Sequence, residues 1–332
     1  MPPVSTGRLP VPGHVRTMMY EAHERFNIDD EGTNAQVYPA LAAVPRDLFG
    51  ICLAATDGAV YAVGDSEIPF AIMSVSKPFV FALVCQALGA EAVRAAIGVN
   101  PTGFPFDSVI AVELHPERRT NPMVNSGALA TTSLVPGDDA EEKWRFIRDG
   151  LSRFAGRPLA VNEAVYASAS TTNHRNRGIA RLLQSYGRLA FDPVATTDLY
   201  TRQCALDVSA HDLAIMGATL ANGGVNPETG ERVVDAATCT RTLAVMTASG
   251  LYETSGDWLY EVGLPGKSGI SGGIVTVAPG KGGMGCYAPP LDAAGNSVKG
   301  QRVAKFVSER LGLNLFASAV MGSAEELGER TI

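Results

Sequence analysis

The segments of this chain that read as β-strands stand near its two ends, and the long stretch between them reads as helix. Few folds accommodate that order. Toward the N-terminal end, "LFGICLAAT" and "AVYAVGD" flank Asp57-Gly58, which reads as the two-residue turn of a β-hairpin. Beyond residue 262, "KSGISGGIV" reads as one strand and "GGMGCYAPP" as another, each punctuated by glycine. The two groups are expected to pair in one sheet.

From about 78 to 250, "FVFALVCQALG", "NSGALATTSLV", "AEEKWRFIRDGLSRFAG", "RNRGIARLLQSYG" and "SAHDLAIMGATLANGG" carry apolar residues at helical spacing. "HVRTMMYEAHERF" before the sheet and "GQRVAKFVSERLGL" after it read as further helices. The expected fold class is α/β (α+β), an antiparallel sheet flanked by helices plus a mainly helical lobe. No repeat or long polar linker divides it. We expect residues 1–16 as a leader, 17–318 as a single domain of two lobes, and 319–332 as a C-terminal tail. The sheet lobe would take about 17–73 and 255–318, and the helical lobe about 78–250.

A chain of 332 residues, 46% hydrophobic and 18% charged, can bury a large core. Its net charge of −7 and scattered arginines give no basic stripe for nucleic acid. No run approaches the ~20 apolar residues that span a bilayer, and the first residues hold no apolar signal core, so a cytoplasmic protein with no membrane partner is expected. The five cysteines are odd in number and widely spaced, which fits buried free thiols. The histidines are far apart and no Cys-x-x-Cys occurs, so no metal and no other cofactor is expected.

The hairpin leads into "MSVSKPFV", where Ser74 precedes Lys77 by three residues. A lone S-x-x-K is weak evidence, and Ser74 could be a helix N-cap with Pro78 in the first turn and Lys77 solvated. The alternative is a nucleophile. Spacing of three puts both side chains on one helix face, so an uncharged Lys77 amine could take the serine proton. The N–H groups at the helix start would favour a developing oxyanion.

Lys267-Ser268-Gly269 near the C-terminus supplies the K-[ST]-G pattern that accompanies S-x-x-K in serine acyl-transfer enzymes. His115 in "ELHPERRTNP" precedes Asn125 by only ten residues, but a loop histidine is more often structural.

These motifs, joined to "NPMVNSGALATTSL", "RNRGIARLL", "LANGGVNPETGERVV", "GLYETSG" and "CYAPPLDAAGNSVKG", closely resemble the serine-dependent glutaminase family. That family is related to the β-lactamases and penicillin-binding proteins, and the likeness spans about residues 17 to 315. The resemblance implies a β-lactamase/DD-peptidase-like fold, a small-molecule amide substrate and a homodimer or homotetramer. It implies Ser74 as nucleophile, Lys77 as base and Tyr252 at the reacting centre, with Lys267, Ser268 and Gly269 in support. Asn125, Asn176 and Tyr200 would hold the amino-acid head of glutamine. The backbone N–H groups of Ser74 and Ile270 would form the oxyanion hole. From the residues alone, Asn125 could be a helix cap and Tyr200 plain core packing.

Two positions depart from the family. Where it has a glutamate facing the substrate ammonium, seven residues before the asparagine of "YASASTTNHRN", this chain has Ala169. Where it has tyrosine two residues before the proline of "NAQVYPAL", this chain has Val37, and Tyr38 one place later could face the wrong way. Glu163 in "VNEAVYAS", six residues upstream, is a possible stand-in, but it matches a position where many members of the family already carry an acid beside the site's own glutamate, so it is not expected to replace the missing one. Losing a charge-assisted contact removes about 1.5–3 kcal/mol, so glutamine is expected to bind less well.

The leading expectation is a glutaminase, converting L-glutamine and water to L-glutamate and ammonia through a Ser74 acyl-enzyme. One rival keeps that chemistry on an amide lacking a free α-amine. Another is a glutaminase-like protein that binds without turnover, against which the intact Ser74, Lys77, Tyr252 and Lys267 stand. β-Lactamase or peptidase action fits poorly with a chain that shows no export signal.

Overall fold

The computed structural model describes residues 8–317, so the expected 319–332 tail lies outside the described residues. Its main sheet runs in the order Val60–Gly64, Gly50–Ala55, Gly282–Tyr287, Gly273–Ala278, Gly266–Ser268, and every pairing is antiparallel. The strands from the two ends of the chain meet at its centre, with Gly50 opposite Tyr287 and Ala55 opposite Gly282.

Two local expectations are corrected. The hairpin connection is Thr56–Ala59, wider than a two-residue turn. The Asp57 side chain accepts the Ala59 N–H at 3.2 Å, which draws both flanking residues into the turn. "KSGISGGIV" is two strands, Gly266–Ser268 and Gly273–Ala278. The chain reverses at Gly269–Gly272, where Gly269 N–H donates to Gly273 O and Gly272 adopts φ +100°.

Side chains alternate across the central strand. Ile51 and Leu53 face one core, while Cys52 and Ala54 face the buried helix Ala210–Ala221. That helix starts on a capping box between Ser209 and Asp212, which satisfies donors that would otherwise be buried unpaired. It lies close enough to the sheet that a Cβ on Gly283 would stand 2.2 Å from Ala218 N, so only glycine fits there.

On the opposite face, the helices Pro12–Asn27 and Val298–Arg310 bury Val15, Met19, Ala22, Val303 and Val307 against Ile51, Ile274 and Met284. Each large aliphatic side chain so buried contributes about 1.5–3 kcal/mol. The first helix begins at Pro12, inside the expected leader, because proline's fixed φ suits a first helical position.

Between the strands, the short pair Phe70–Ala71 and Asp207–Val208 and the bond from Ile72 N–H to Leu206 O hand the chain to a 3-10 turn, Met73–Val75. The helix Ser76–Leu88 follows, and its residues from Ser76 to Cys85 are all buried. It has no polar face because other helices surround it. Ser74 thus stands where sheet and helices meet. Among the described residues no helix is long and apolar enough to cross a membrane.

Candidate active site

Ser74 lines a cavity of about 300 Å³ together with Tyr38, Asn125, Ala169, Asn176, Tyr200 and Ile270. Its side chain makes no capping bond, and the helix that follows is capped at Val75 without a side-chain partner. The capping role is therefore not the one Ser74 fills. Met73, next to Ser74 in the chain, and Tyr252 have φ of +48° and +58°. Non-glycine residues take such angles at a cost of about 1–3 kcal/mol, which surrounding structure must hold in place.

Lys77 is 1% exposed. Its amine donates to Asn125 Oδ1 at 2.7 Å and to Met123 O at 3.2 Å, and Ser74 is not among its hydrogen-bond partners. Burial drives the amine down to about 7, against smaller opposing effects of Cys204 and Asp107. A buried charge normally recruits a carboxylate. Lys77 has two neutral carbonyl acceptors instead, so its neutral form is accessible near neutral pH.

Asn125 opens the helix Asn125–Ser133 without serving as its cap. Its side chain joins three residues: besides Lys77, Asn125 Nδ2 donates to Asn176 Oδ1 at 2.9 Å and Tyr200 Oη donates to Asn125 Oδ1 at 3.4 Å. Both open readings, of Asn125 as a cap and of Tyr200 as plain core, give way to a polar network that lines the cavity.

Tyr252 is 5% exposed, and its phenol is pushed up to about 12 by burial, with hydrogen bonding to Ser74 and Ser268 acting the other way. Its hydroxyl donates to Ser268 O at 3.2 Å. The Lys267 amine lies 4.1 Å from the Tyr252 ring centre and donates to Ser268 O at 2.7 Å. Burial and the charge of Lys77 lower Lys267 well below the ordinary lysine range. Ser268 Oγ donates to Asn296, which in turn donates to Thr254 Oγ1.

Gly269 explains how the far strand reaches the serine. A Cβ there would lie 3.0 Å from Ile72 O and 3.1 Å from Val75 Cγ2, so the missing side chain lets this turn press on the Met73–Val75 turn. Among the described residues, the N–H groups of Ser74 and Ile270 donate to no backbone carbonyl.

The two departures resolve differently. Ala169 is 4% exposed and lines the cavity, whereas Glu163 at the start of the same helix is exposed and does not. The expectation that Tyr38 could face the wrong way is corrected: Tyr38 is 8% exposed and lines the cavity, while Val37 sits at its rim, 56% exposed. Successive side chains of extended backbone point to opposite sides, and here the tyrosine takes the inward one. His115 accepts the Glu117 N–H at Nδ1 and lies outside this cavity, in a surface cleft.

The glutaminase family model matches residues 32–316. The chain belongs to the glutaminase family. Within that family, Glutaminase 2 of Yersinia pestis is 64% identical over 315 residues, covering 95% of this chain and 93% of the relative. The glutaminase of Brucella suis is 50% identical over 287 residues, covering 86% and 90%. The solved structure of the probable glutaminase ybaS has a TM-score of 0.92 at 44% identity, covering 93% of this chain and 100% of its own. Mglu in its glutamate form gives 0.85 at 36%, covering 95% and 72%.

Sequence reasoning missed three contributors to this glutaminase-family site. Cys204 lies in the cavity wall, and burial pushes its thiol up to about 11. Asn296 ties the Lys267 strand to the Tyr252 turn, and its only signal was the turn-forming "AAGNS". Phe106 packs on Tyr252 at 4.7 Å between ring centres. All five cysteines are buried and unpaired.

Proposed function

We propose that this enzyme hydrolyses L-glutamine to L-glutamate and ammonia through an acyl-enzyme on Ser74. The observation that carries the reading is the buried Lys77 amine, held by neutral carbonyls at about 7 and one helical turn from Ser74. A base near the working pH combines a populated neutral form with enough proton affinity to activate a hydroxyl.

In the first half-reaction, Ser74 Oγ forms a bond to the side-chain amide carbon as its proton passes to the Lys77 amine. The N–H groups of Ser74 and Ile270 receive the oxyanion. The carbon–nitrogen bond then breaks, the departing nitrogen takes a proton by way of Tyr252 and leaves as ammonia, and an ester remains on Ser74. Water attacks that ester in the second half, giving its proton to Lys77. The serine oxygen is reprotonated and glutamate leaves.

Asn125, Asn176 and Tyr200 would hold the amino-acid head, chiefly its carboxylate. Their neutral donors and acceptors interlock, so the head meets a fixed surface rather than mobile side chains. Lys267, Ser268 and Gly269 support the site by fixing Tyr252 and the Ile270 turn. The same reading includes 17–318 acting as one two-lobed unit, a cytoplasmic location and a homodimer or homotetramer.

A second reading keeps the chemistry on an amide without an α-amine, and the apolar Ala169 in the cavity wall favours it. Ammonia release from L-glutamine and from 4-carbamoylbutanoate, its counterpart without the amine, tests both. Release from glutamine supports the first reading. Release from the amine-free amide alone supports the second.

A further inference from the structure

Neither buried lysine lines the cavity, and an α-amino acid brings an ammonium of its own into it. That ammonium needs a carboxylate. Ala169 supplies none, and of the residues that line the cavity only Asp107 and Asp292 are acidic.

Asp292 is already engaged. Its Oδ1 accepts the N–H groups of Ala294 and Asn296 at 2.9 and 3.0 Å, and its Oδ2 accepts Gln301 Nε2 at 2.9 Å, so one oxygen serves its own loop and the other the helix Val298–Arg310.

Asp107 differs in each respect. Among the described residues no donor is hydrogen-bonded to its carboxylate, which faces Arg175 Nε at 3.5 Å and keeps 40% of its side-chain surface exposed. Its backbone is fixed on both sides. The neighbouring Phe106 O accepts the Asn125 N–H at 2.7 Å, and Asp107 O accepts Arg175 Nε at 3.0 Å. The loop that carries this carboxylate is therefore tied to the two helices that present Asn125 and Asn176. Its charge also reaches inward, since Asp107 strengthens the hold of the Lys77 amine on its proton.

We infer that Asp107 is the specificity-determining carboxylate of this site, receiving the substrate α-ammonium at the cavity rim in place of the acid absent at Ala169. Arg175 beside it balances the rim when no ammonium is present. A carboxylate has about four acceptor sites, so the Arg175 contact leaves room for an ammonium donor. The cavity then presents separate partners for the two charges of an amino-acid head: Asp107 for the ammonium and the Asn125–Asn176–Tyr200 network for the carboxylate. The substrate class is an α-amino acid with a side-chain amide, and the inference rests on the glutaminase reading above.

The test measures kcat/KM for ammonia release from L-glutamine and from 4-carbamoylbutanoate, in the wild type and in Asp107→Asn. The substitution keeps shape and removes charge. The glutamine-to-carbamoylbutanoate ratio is expected to fall about tenfold to a hundredfold, as one charge-assisted contact is lost. Ala169→Glu added to Asp107→Asn is expected to recover glutamine selectivity, which a merely structural role for Asp107 would not allow. A ratio within twofold of wild type in Asp107→Asn, whatever the absolute rates, would overturn the inference while leaving the glutaminase reading intact. No ammonia from either amide with the wild type would overturn both.

Discussion

The Lys77 amine donates to Asn125 Oδ1 at 2.7 Å across a sequence separation of 48 residues. One asparagine thereby holds the proposed base while belonging to the network that would grip substrate. Replacing Lys77 by methionine keeps a long unbranched side chain and removes the amine. Lys77→Met is expected to lower kcat by about 10²-fold or more with a much smaller change in KM. In the wild type, kcat/KM should rise with pH through about 7 as the amine loses its proton. Steady-state kinetics across pH check both, and a rise in KM alone would make Lys77 a binding residue.

Stability should show the same burial. Folded Lys77 sits at about 7 and Lys267 is also lowered, whereas the unfolded lysines titrate in the ordinary range. Between those ranges the unfolded state binds more protons, so stability increases with pH. Denaturant unfolding between about pH 7 and pH 9 should show that increase, and Lys77→Met should flatten it. An unchanged slope in the variant would contradict a buried amine.

Ser74→Ala should abolish ammonia release while preserving the unfolding midpoint, because it removes one hydroxyl from a small, nearly buried side chain. A diazoketone analogue of glutamine should add its mass to the peptide that carries Ser74. Activity within tenfold of wild type, or labelling confined to a cysteine peptide, would sink the serine mechanism.

Gly269→Ala probes the oxyanion arm. The added methyl would press on Ile72 O at 3.0 Å and Val75 Cγ2 at 3.1 Å, moving the Ile270 N–H away from Ser74. We expect kcat to fall about tenfold to a hundredfold with the fold retained, since a misplaced donor costs transition-state binding. Unaltered kcat would show that this turn does not set the geometry of the reacting centre.

Gly283→Ala tests the sheet instead. Its Cβ would meet Ala218 N at 2.2 Å and Gly217 C at 2.4 Å, both backbone atoms that cannot rotate aside. The helix Ala210–Ala221 would have to lift from the sheet, at a cost of about 1–3 kcal/mol or more. Thermal unfolding reads that loss directly.

What the sequence determined by itself is local or periodic. The strands read in "LFGICLAAT" and "AVYAVGD" and the helical spacing of the middle segments are properties of neighbouring residues, and each appears in the fold. The Ser74-to-Lys77 spacing is of the same kind. The reversal at Gly269–Gly272 was hidden because a glycine-rich run suits a strand or a turn, and pairing with the strand Gly282–Tyr287 selects between them.

Tertiary structure decided the rest. Whether Lys77 is solvated or sealed at 1% exposure depends on every element packed around its helix, not on its neighbours in the chain. The inward turn of Tyr38, the burial of Ala169 and the presence of Asp107 in the same cavity depend on how separate loops and helices are placed against one another. Burial and proximity are sums over distant segments. No local pattern carries them, and they set which amine can lose its proton and which carboxylate can meet the substrate.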